Sequence, residues 1–191
     1  MNTARFPIHF IGAGPGAEDL ITERGAALLK EADVVVYAGS LVNPAHLKRC
    51  RPEAELHDSA RMNLKEQVEV MARGVLEGKK VVRLHTGDPS MYGAVAEQFD
   101  LLDKKGIESI VVPGVSSVFA AAAALRTELT YPGLAQSLVL TRTPGRTPMP
   151  SGEACEAFAK TGATLAFFLS AGKLDELAAR LVSAGKSPDT A

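Results

Sequence analysis

Val81-Val82-Arg83-Leu84-His85-Thr86-Gly87-Asp88-Pro89-Ser90-Met91-Tyr92-Gly93 is the stretch from which the fold can be read. Its opening residues form an apolar run that suits a strand buried on both faces of a parallel sheet. A buried strand that ends in Gly-Asp-Pro delivers a small, acid-bearing loop to the carboxyl edge of the sheet, where open α/β folds place their ligands. Similar runs lie at Ile8 to Ile11, Val34 to Tyr37, Glu55 to His57 and Ile110 to Val112. Between them Ile21, Gly25, Leu28 and Ala32 recur at helical spacing, as do Leu64, Val68, Met71 and Val75 behind an Asn63/Glu66 pair that spells a capping box. Gly78 and Gly106 stand where helix C-caps belong. The alternation predicts an α/β fold with a mostly parallel sheet.

This pattern defines a first α/β domain over residues 1–126 and a connection over 127–136, which contains Pro132 and Gly133 and lacks clean periodicity. A second α/β domain starts within 137–191. It offers the strand Ser137 to Thr141, a proline-rich loop from Arg142 to Gly152, a helix around Ala154 to Lys160, the strand Thr164 to Leu169, and a helix Leu174 to Ala184 closed by Gly185. Two strands and two helices leave apolar sheet faces uncovered. The second domain is therefore expected to be incomplete, the chain stopping inside it or a partner supplying the cover.

Composition narrows the function classes. The 191 residues are 46% hydrophobic with a formal net charge of -1, and no block of like charge suggests a nucleic-acid tail or a polybasic membrane patch. Cys50 and Cys155 lie far apart without CxxC or Cys/His spacing, so they read as reduced thiols of a cytoplasmic protein. No secretory h-region and no bilayer-length apolar run is present. His9 and His57 fall on strands and His46 is expected on a helix surface, a scatter that predicts no metal site. GxSxG is absent and neither cysteine lies in a glycine turn, which gives covalent catalysis little support.

Three loops carry the chemistry. Gly12-Ala13-Gly14-Pro15-Gly16-Ala17 satisfies the dinucleotide pattern between a strand and a helix. Two details count against NAD and an oxidoreductase: Pro15 removes an N–H from the turn that would face a pyrophosphate, and the second strand ends in Tyr37-Ala38-Gly39, with no acid for a ribose. Asp88-Pro89 reads structurally as the cap and first residue of a helix, and functionally as a ligand loop. Pro113-Gly114-Val115-Ser116-Ser117 repeats the arrangement with two hydroxyls at a helix start. All three loops leave one edge of one sheet. His85 ends its strand beside them, and Arg142 and Arg146 offer guanidinium forks suited to carboxylates.

Together these segments resemble the tetrapyrrole methylase family, the S-adenosylmethionine (SAM) methyltransferases of siroheme and cobalamin biosynthesis. The carrying residues are Gly12-Ala13-Gly14-Pro15-Gly16 with Leu20-Ile21-Thr22, Asp33-Val34-Val35-Val36-Tyr37, Gly87-Asp88-Pro89 with Tyr92-Gly93, Pro113-Gly114-Val115-Ser116-Ser117, and Thr164 to Leu169. Tyr37 to Val42 and His85 to Gly93 are most similar to the branch that methylates the corrin precursor precorrin-4 at carbon 11. The resemblance implies two α/β domains around a cleft, the second truncated here, and a cytoplasmic homodimer. It implies SAM held by Pro15, Thr86, Gly87, Asp88, Met91, Ser116, Ser117 and Leu169, with S-adenosylhomocysteine as product. It implies an anionic tetrapyrrole held near Gly14, Gly16, Tyr37, His85, Arg142 and Arg146, with Arg61 a further cation to meet its carboxylates. The uroporphyrinogen methylases of the family place an acid, assigned as proton acceptor, directly after the second-strand tyrosine. Here that position is Ala38, so the role does not carry over and the catalytic residues stay unassigned.

Overall fold

Ile8 and Phe10 of the first strand face one side of a sheet and Ile11 the other, and the same two-residue alternation along the neighbouring strands builds a core on each face. The computed structural model describes residues 6–145 and 147–190. Contacts divide the chain into residues 1–120 and 121–191. In the first unit, β1 (Ile8–Gly12), β2 (Val34–Tyr37), β3 (Glu55–Asp58), β4 (Val81–His85) and β5 (Ser109–Val112) form one sheet in the order β3-β2-β4-β1-β5. Every neighbouring pair is parallel.

Helices seal both faces. Ile8, Phe10, Val34, Val36 and Val81 pack with Val68, Met71 and Val75 of α2 (Leu64–Leu76) and Leu102 of α3 (Val95–Asp103). Ile11, Val35, Val82 and Leu84 pack on the other side with Leu29 of α1 (Glu23–Glu31). The strand β4 is buried at all five positions, as its central place in the order requires. One of those positions is Arg83, whose guanidinium donates to the Val36 carbonyl at 3.2 Å and to the side-chain carbonyls of Gln67 and Gln98 at 3.2 and 3.4 Å. Burial brings its pKa down to about 10, so it remains a cation at neutral pH, solvated by neutral dipoles.

Local signals act as the residue types demand. The Asn63 side chain accepts from Glu66 N at 3.1 Å while Glu66 accepts from Asn63 N at 2.8 Å, closing the capping box of α2. Thr22 caps α1 by accepting from Gly25 N at 3.1 Å. Three expectations change. Asp88-Pro89 starts no helix; α3 begins at Val95, behind Ala94 in a left-handed conformation and without a side-chain cap. His46 is no surface residue: it lies on a 3-10 turn over Pro44–Arg49 and is fully buried. The strands β1, β3 and β4 each run one residue further toward the carboxyl edge than the apolar runs, to Gly12, Asp58 and His85.

The helix α4 (Ser117–Leu125) spans the division between the units. In the second unit, β6 (Leu138–Arg142) and β7 (Thr164–Phe168) pair in parallel. The chain beyond them is fastened by the buried Ser170, whose hydroxyl accepts from Thr143 N at 3.0 Å and donates to the Phe168 carbonyl at 2.7 Å. The helices α5 (Cys155–Ala159) and α6 (Leu174–Ser183) are joined by a two-bond Glu156–Arg180 pair at 2.7 and 3.0 Å. The Arg180 guanidinium holds the Glu156 carboxyl at about 2, well below the usual range. Among the described residues no helix is long and apolar enough to cross a membrane.

Candidate active site

In the first unit the strands end on one edge, at Gly12, Tyr37, Asp58, His85 and Val112, and the following loops meet there backbone to backbone. Beyond the paired strands, Ala13 N donates to the His85 carbonyl at 2.7 Å. Gly14 and Gly87 then exchange both N–H···O bonds, at 3.2 and 2.8 Å, as an antiparallel bridge. A β-carbon on Gly12 would stand 2.5 Å from both the Gly87 carbonyl oxygen and the Gly114 Cα. One on Gly114 would collide with the same Gly87 oxygen. Only glycine permits this approach of the β1, β4 and β5 loops.

Asp88 locks the junction. Its Oδ1 accepts from Ser90 N and its Oδ2 from Gly114 N, both at 2.8 Å. The carboxylate thus spends one oxygen on its own turn and the other on the β5 loop. A second tether comes from Asn43, which donates Nδ2 to the Gly16 carbonyl at 2.7 Å and accepts from Ala45 N at 3.0 Å. Backbone strain is present on the same loop, where Tyr92 and Ala94 hold φ of 55° and 48°, a region that costs non-glycine residues about 1–3 kcal/mol each.

These bonds decide what the glycine loop can hold. Ala13 and Gly14 spend their N–H groups inside the junction and Pro15 has none, so the loop does not present the row of free donors that a pyrophosphate needs. Gly16 and Gly87, in contrast, have no protein atom within 4 Å of where a β-carbon would stand. Bare backbone facing open space admits a bulky ligand. Beside it lie the exposed Thr86, the half-buried Pro15 and Met91, the buried Ser116, and Ser117 at the start of α4. Among the described residues no group of His, Cys, Asp and Glu is arranged to hold a metal.

Other residues singled out by sequence fall elsewhere. His85 is 5% exposed and stacks on Phe10 at 5.8 Å between ring centroids, so its ring enters the core beneath the loops. Its Nε2 has no hydrogen-bond partner, and burial, helped by the Arg83 charge, brings its pKa to about 3. The imidazole is therefore neutral at physiological pH. Tyr37 is half-buried at the end of β2, and Arg61 is exposed on a 3-10 turn over Ser59–Arg61. In the second unit, Leu169 follows β7, is 77% exposed and holds a left-handed φ of 56°. Arg142 ends β6 and donates to the carbonyls of Thr143, Thr147 and Pro148 at 3.1 to 3.2 Å, bracing its own loop. Arg146 lies outside the described residues. Sequence reasoning missed Gly12 and Gly114 as junction residues and Asn43 as a tether. The two glycines had a signal, each standing at or just past the end of an apolar strand; Asn43 reads as an ordinary turn residue before proline.

Known proteins resemble the chain in sequence and in fold. The sequence model of the Tetrapyrrole (Corrin/Porphyrin) Methylases matches residues 7–191. The chain is 49% identical over 180 residues to a cobalt-precorrin-4 C(11)-methyltransferase of Methanocaldococcus jannaschii, a match covering 94% of this chain and 70% of that protein. The X-ray structure of a cobalamin biosynthetic enzyme, the cobalt precorrin-4 methyltransferase CbiF, superposes with a TM-score of 0.93 at 49% identity, covering 96% of this chain and 77% of that one. The uroporphyrin-III C-methyl transferase of Thermus thermophilus in complex with S-adenosylhomocysteine superposes with a TM-score of 0.78 at 29% identity, covering 96% and 74%.

Two predictions follow from the site geometry. The Asp88→Asn variant keeps one acceptor and turns the other into a donor facing an N–H. It should lose about 1.5–3 kcal/mol in urea unfolding, the range for hydrogen bonds to a charged group; an unchanged midpoint would show that the carboxylate does not hold both loops. The second concerns acid. With His85 at about 3 in the folded chain against 6.5 when unfolded, the unfolded state binds the extra proton between those values. The contribution to stability is complete above pH 6.5 and is lost as pH falls toward 3. Between pH 7 and pH 4.5 the parent chain should therefore lose more stability than His85→Phe, and equal losses would contradict a buried neutral imidazole.

Proposed function

Because the chain belongs to the tetrapyrrole (corrin/porphyrin) methylase family, we propose that it transfers the methyl group of S-adenosylmethionine to carbon 11 of precorrin-4, with or without cobalt, in cobalamin biosynthesis. The observation that carries the choice of acceptor is the 49% identity to a C(11)-methyltransferase, against 29% to a uroporphyrin-III methyltransferase. The chain is a methyltransferase; SAM as donor, precorrin-4 as acceptor and the residues below are our reading.

The bare backbone at Gly16 and Gly87 leaves room for the cofactor to approach, and Pro15, Thr86, Met91, Ser116 and Ser117 would supply the polar edges and apolar contacts to hold it. Asp88 contributes by fixing the loops, since both of its oxygens are taken by backbone donors. SAM supplies an electrophilic methyl on a sulfonium. In the transfer a nucleophilic ring carbon forms the new carbon–carbon bond, the carbon–sulfur pair stays on sulfur, and the ring later sheds a proton. Such a displacement depends on alignment, and oriented reactants gain about 7–11 kcal/mol over free ones. The chain's task is therefore to hold two ligands in register. Arg61, exposed on the turn after β3, would meet a carboxylate of the acceptor in this reading, and the family resemblance adds Arg142 and Arg146 as further partners. Tyr37 would line the acceptor side, whereas Gly14 and Gly16, which the resemblance gives to the acceptor, belong in this reading to the junction on the cofactor side. On the family resemblance we assign the chain to the cytoplasm as a homodimer.

Calorimetric titration tests the reading. S-adenosylhomocysteine should bind saturably and NAD should not, and the chain should then pass a labelled methyl from SAM to precorrin-4. Binding of NAD with no binding of S-adenosylhomocysteine would overturn it.

A further inference from the structure

We infer that Asp58 is a positioning residue for the acceptor: it fixes the turn after β2 and the Arg61 turn as one unit. The inference rests on the methyltransferase reading above. Asp58 ends β3 directly opposite Tyr37, the last residue of β2, in the parallel register of the two strands. Its Oδ1 accepts two N–H groups, from Gly39 at 3.0 Å and from Ala60 at 2.8 Å. The first bond holds the turn that leaves β2; the second caps the short 3-10 turn that carries Arg61. The next residue repeats the connection, since the buried Ser59 donates its hydroxyl to the Tyr37 carbonyl at 3.0 Å. Gly39 is shaped to this contact, because a β-carbon there would occupy the space of the Asp58 carboxylate.

The place of this clasp in the sheet gives it a task. The order β3-β2-β4-β1-β5 separates the clasp on β3 and β2 from β1 and its neighbour β5 by the strand β4. The β1, β4 and β5 loops form the glycine junction that holds the cofactor in our reading, so the β2 and β3 loops are left to border the acceptor. Arg61, with no acidic partner among the described residues, is the cation that the clasp presents, and a macrocycle carboxylate is the chemical class it fits. By this account Asp58 acts through Gly39 and Arg61, and neither its charge nor a proton on it is used.

The two oxygens of Asp58 make that statement testable. Because both bonds end on Oδ1, asparagine can place its carbonyl oxygen there and accept both, whereas alanine accepts neither. Three proteins are compared: the parent chain, Asp58→Asn and Asp58→Ala. Affinity is measured by titration for S-adenosylhomocysteine and for precorrin-4 in its presence, and amide hydrogen exchange is followed at Gly39 and Ala60. Asp58→Ala should expose both amides and weaken precorrin-4 binding about tenfold, in keeping with the loss of two hydrogen bonds that hold a turn. Its affinity for S-adenosylhomocysteine should stay within about twofold of the parent, which a general loss of structure would not allow. Asp58→Asn should restore both amides and the acceptor affinity. A precorrin-4 affinity as weak in Asp58→Asn as in Asp58→Ala would overturn the inference in favour of a charge or proton role, and an unchanged affinity in Asp58→Ala would overturn it outright. Failure of the methyltransferase reading would appear separately, as no binding of S-adenosylhomocysteine by the parent chain. The exchange comparison uses no ligand and would then decide the clasp alone: amides unprotected in Asp58→Asn, or still protected in Asp58→Ala, would refute it.

Discussion

Three backbones meet at the carboxyl edge of the first sheet in a space that admits no β-carbon on Gly12 or Gly114. That approach fixes the geometry of the whole edge. With Gly12 and Gly114 against the Gly87 carbonyl, the β1 and β4 loops can exchange hydrogen bonds through Gly14 and Gly87, and the β5 loop comes within reach of Asp88. A side chain at either glycine would push two loops apart and leave buried backbone groups without partners, which costs more than the lost contact itself. Bulkier residues elsewhere on these loops are accommodated by strain, as the left-handed Tyr92 and Ala94 show.

From this junction the remaining loops are linked in sequence by short polar side chains. Asn43 ties the segment after β2 to the Gly16 carbonyl, and Asp58 ties that segment to the β3 turn. Each tether is an Asn or Asp that satisfies its own turn and reaches one backbone group on a neighbouring loop. Side chains arranged in this way hold neighbouring loops in fixed register, which suits a reaction whose main demand is alignment. The same arrangement accounts for the dinucleotide pattern without a dinucleotide. In Gly12-Ala13-Gly14-Pro15-Gly16 the first two glycines serve a loop-to-loop contact, and the N–H groups of Ala13 and Gly14 are already bonded within it.

Much of this was legible in the sequence, for physical reasons that differ by element. The strands could be read because burial on both faces forces continuous apolar runs such as Val34 to Tyr37, and α2 because Asn63 and Glu66 mark its start in a standard way. The start of α3 was hidden because its entrance is Ala94 in a left-handed conformation, a start made by loop strain instead of by a capping residue, while Asp88-Pro89 imitated a cap a few residues earlier. His46 was misplaced because a 3-10 turn buries a residue without the periodicity of an α-helix. The loops of the carboxyl edge could be read because they follow apolar strands. The roles of Asp58, Asn43 and Asp88 were not, because each depends on a hydrogen bond between segments distant in sequence, which no local pattern records.

The most direct test of the account is a crystal structure of the chain with S-adenosylhomocysteine. The account predicts the ligand against the bare backbone of Gly16 and Gly87, in contact with the Thr86 to Met91 and Pro113 to Ser117 segments, with Asp88 still bonded to Ser90 and Gly114. A ligand seated away from those loops, or an Asp88 carboxylate turned off Gly114 to meet it, would contradict the claim that the glycine junction is the cofactor seat.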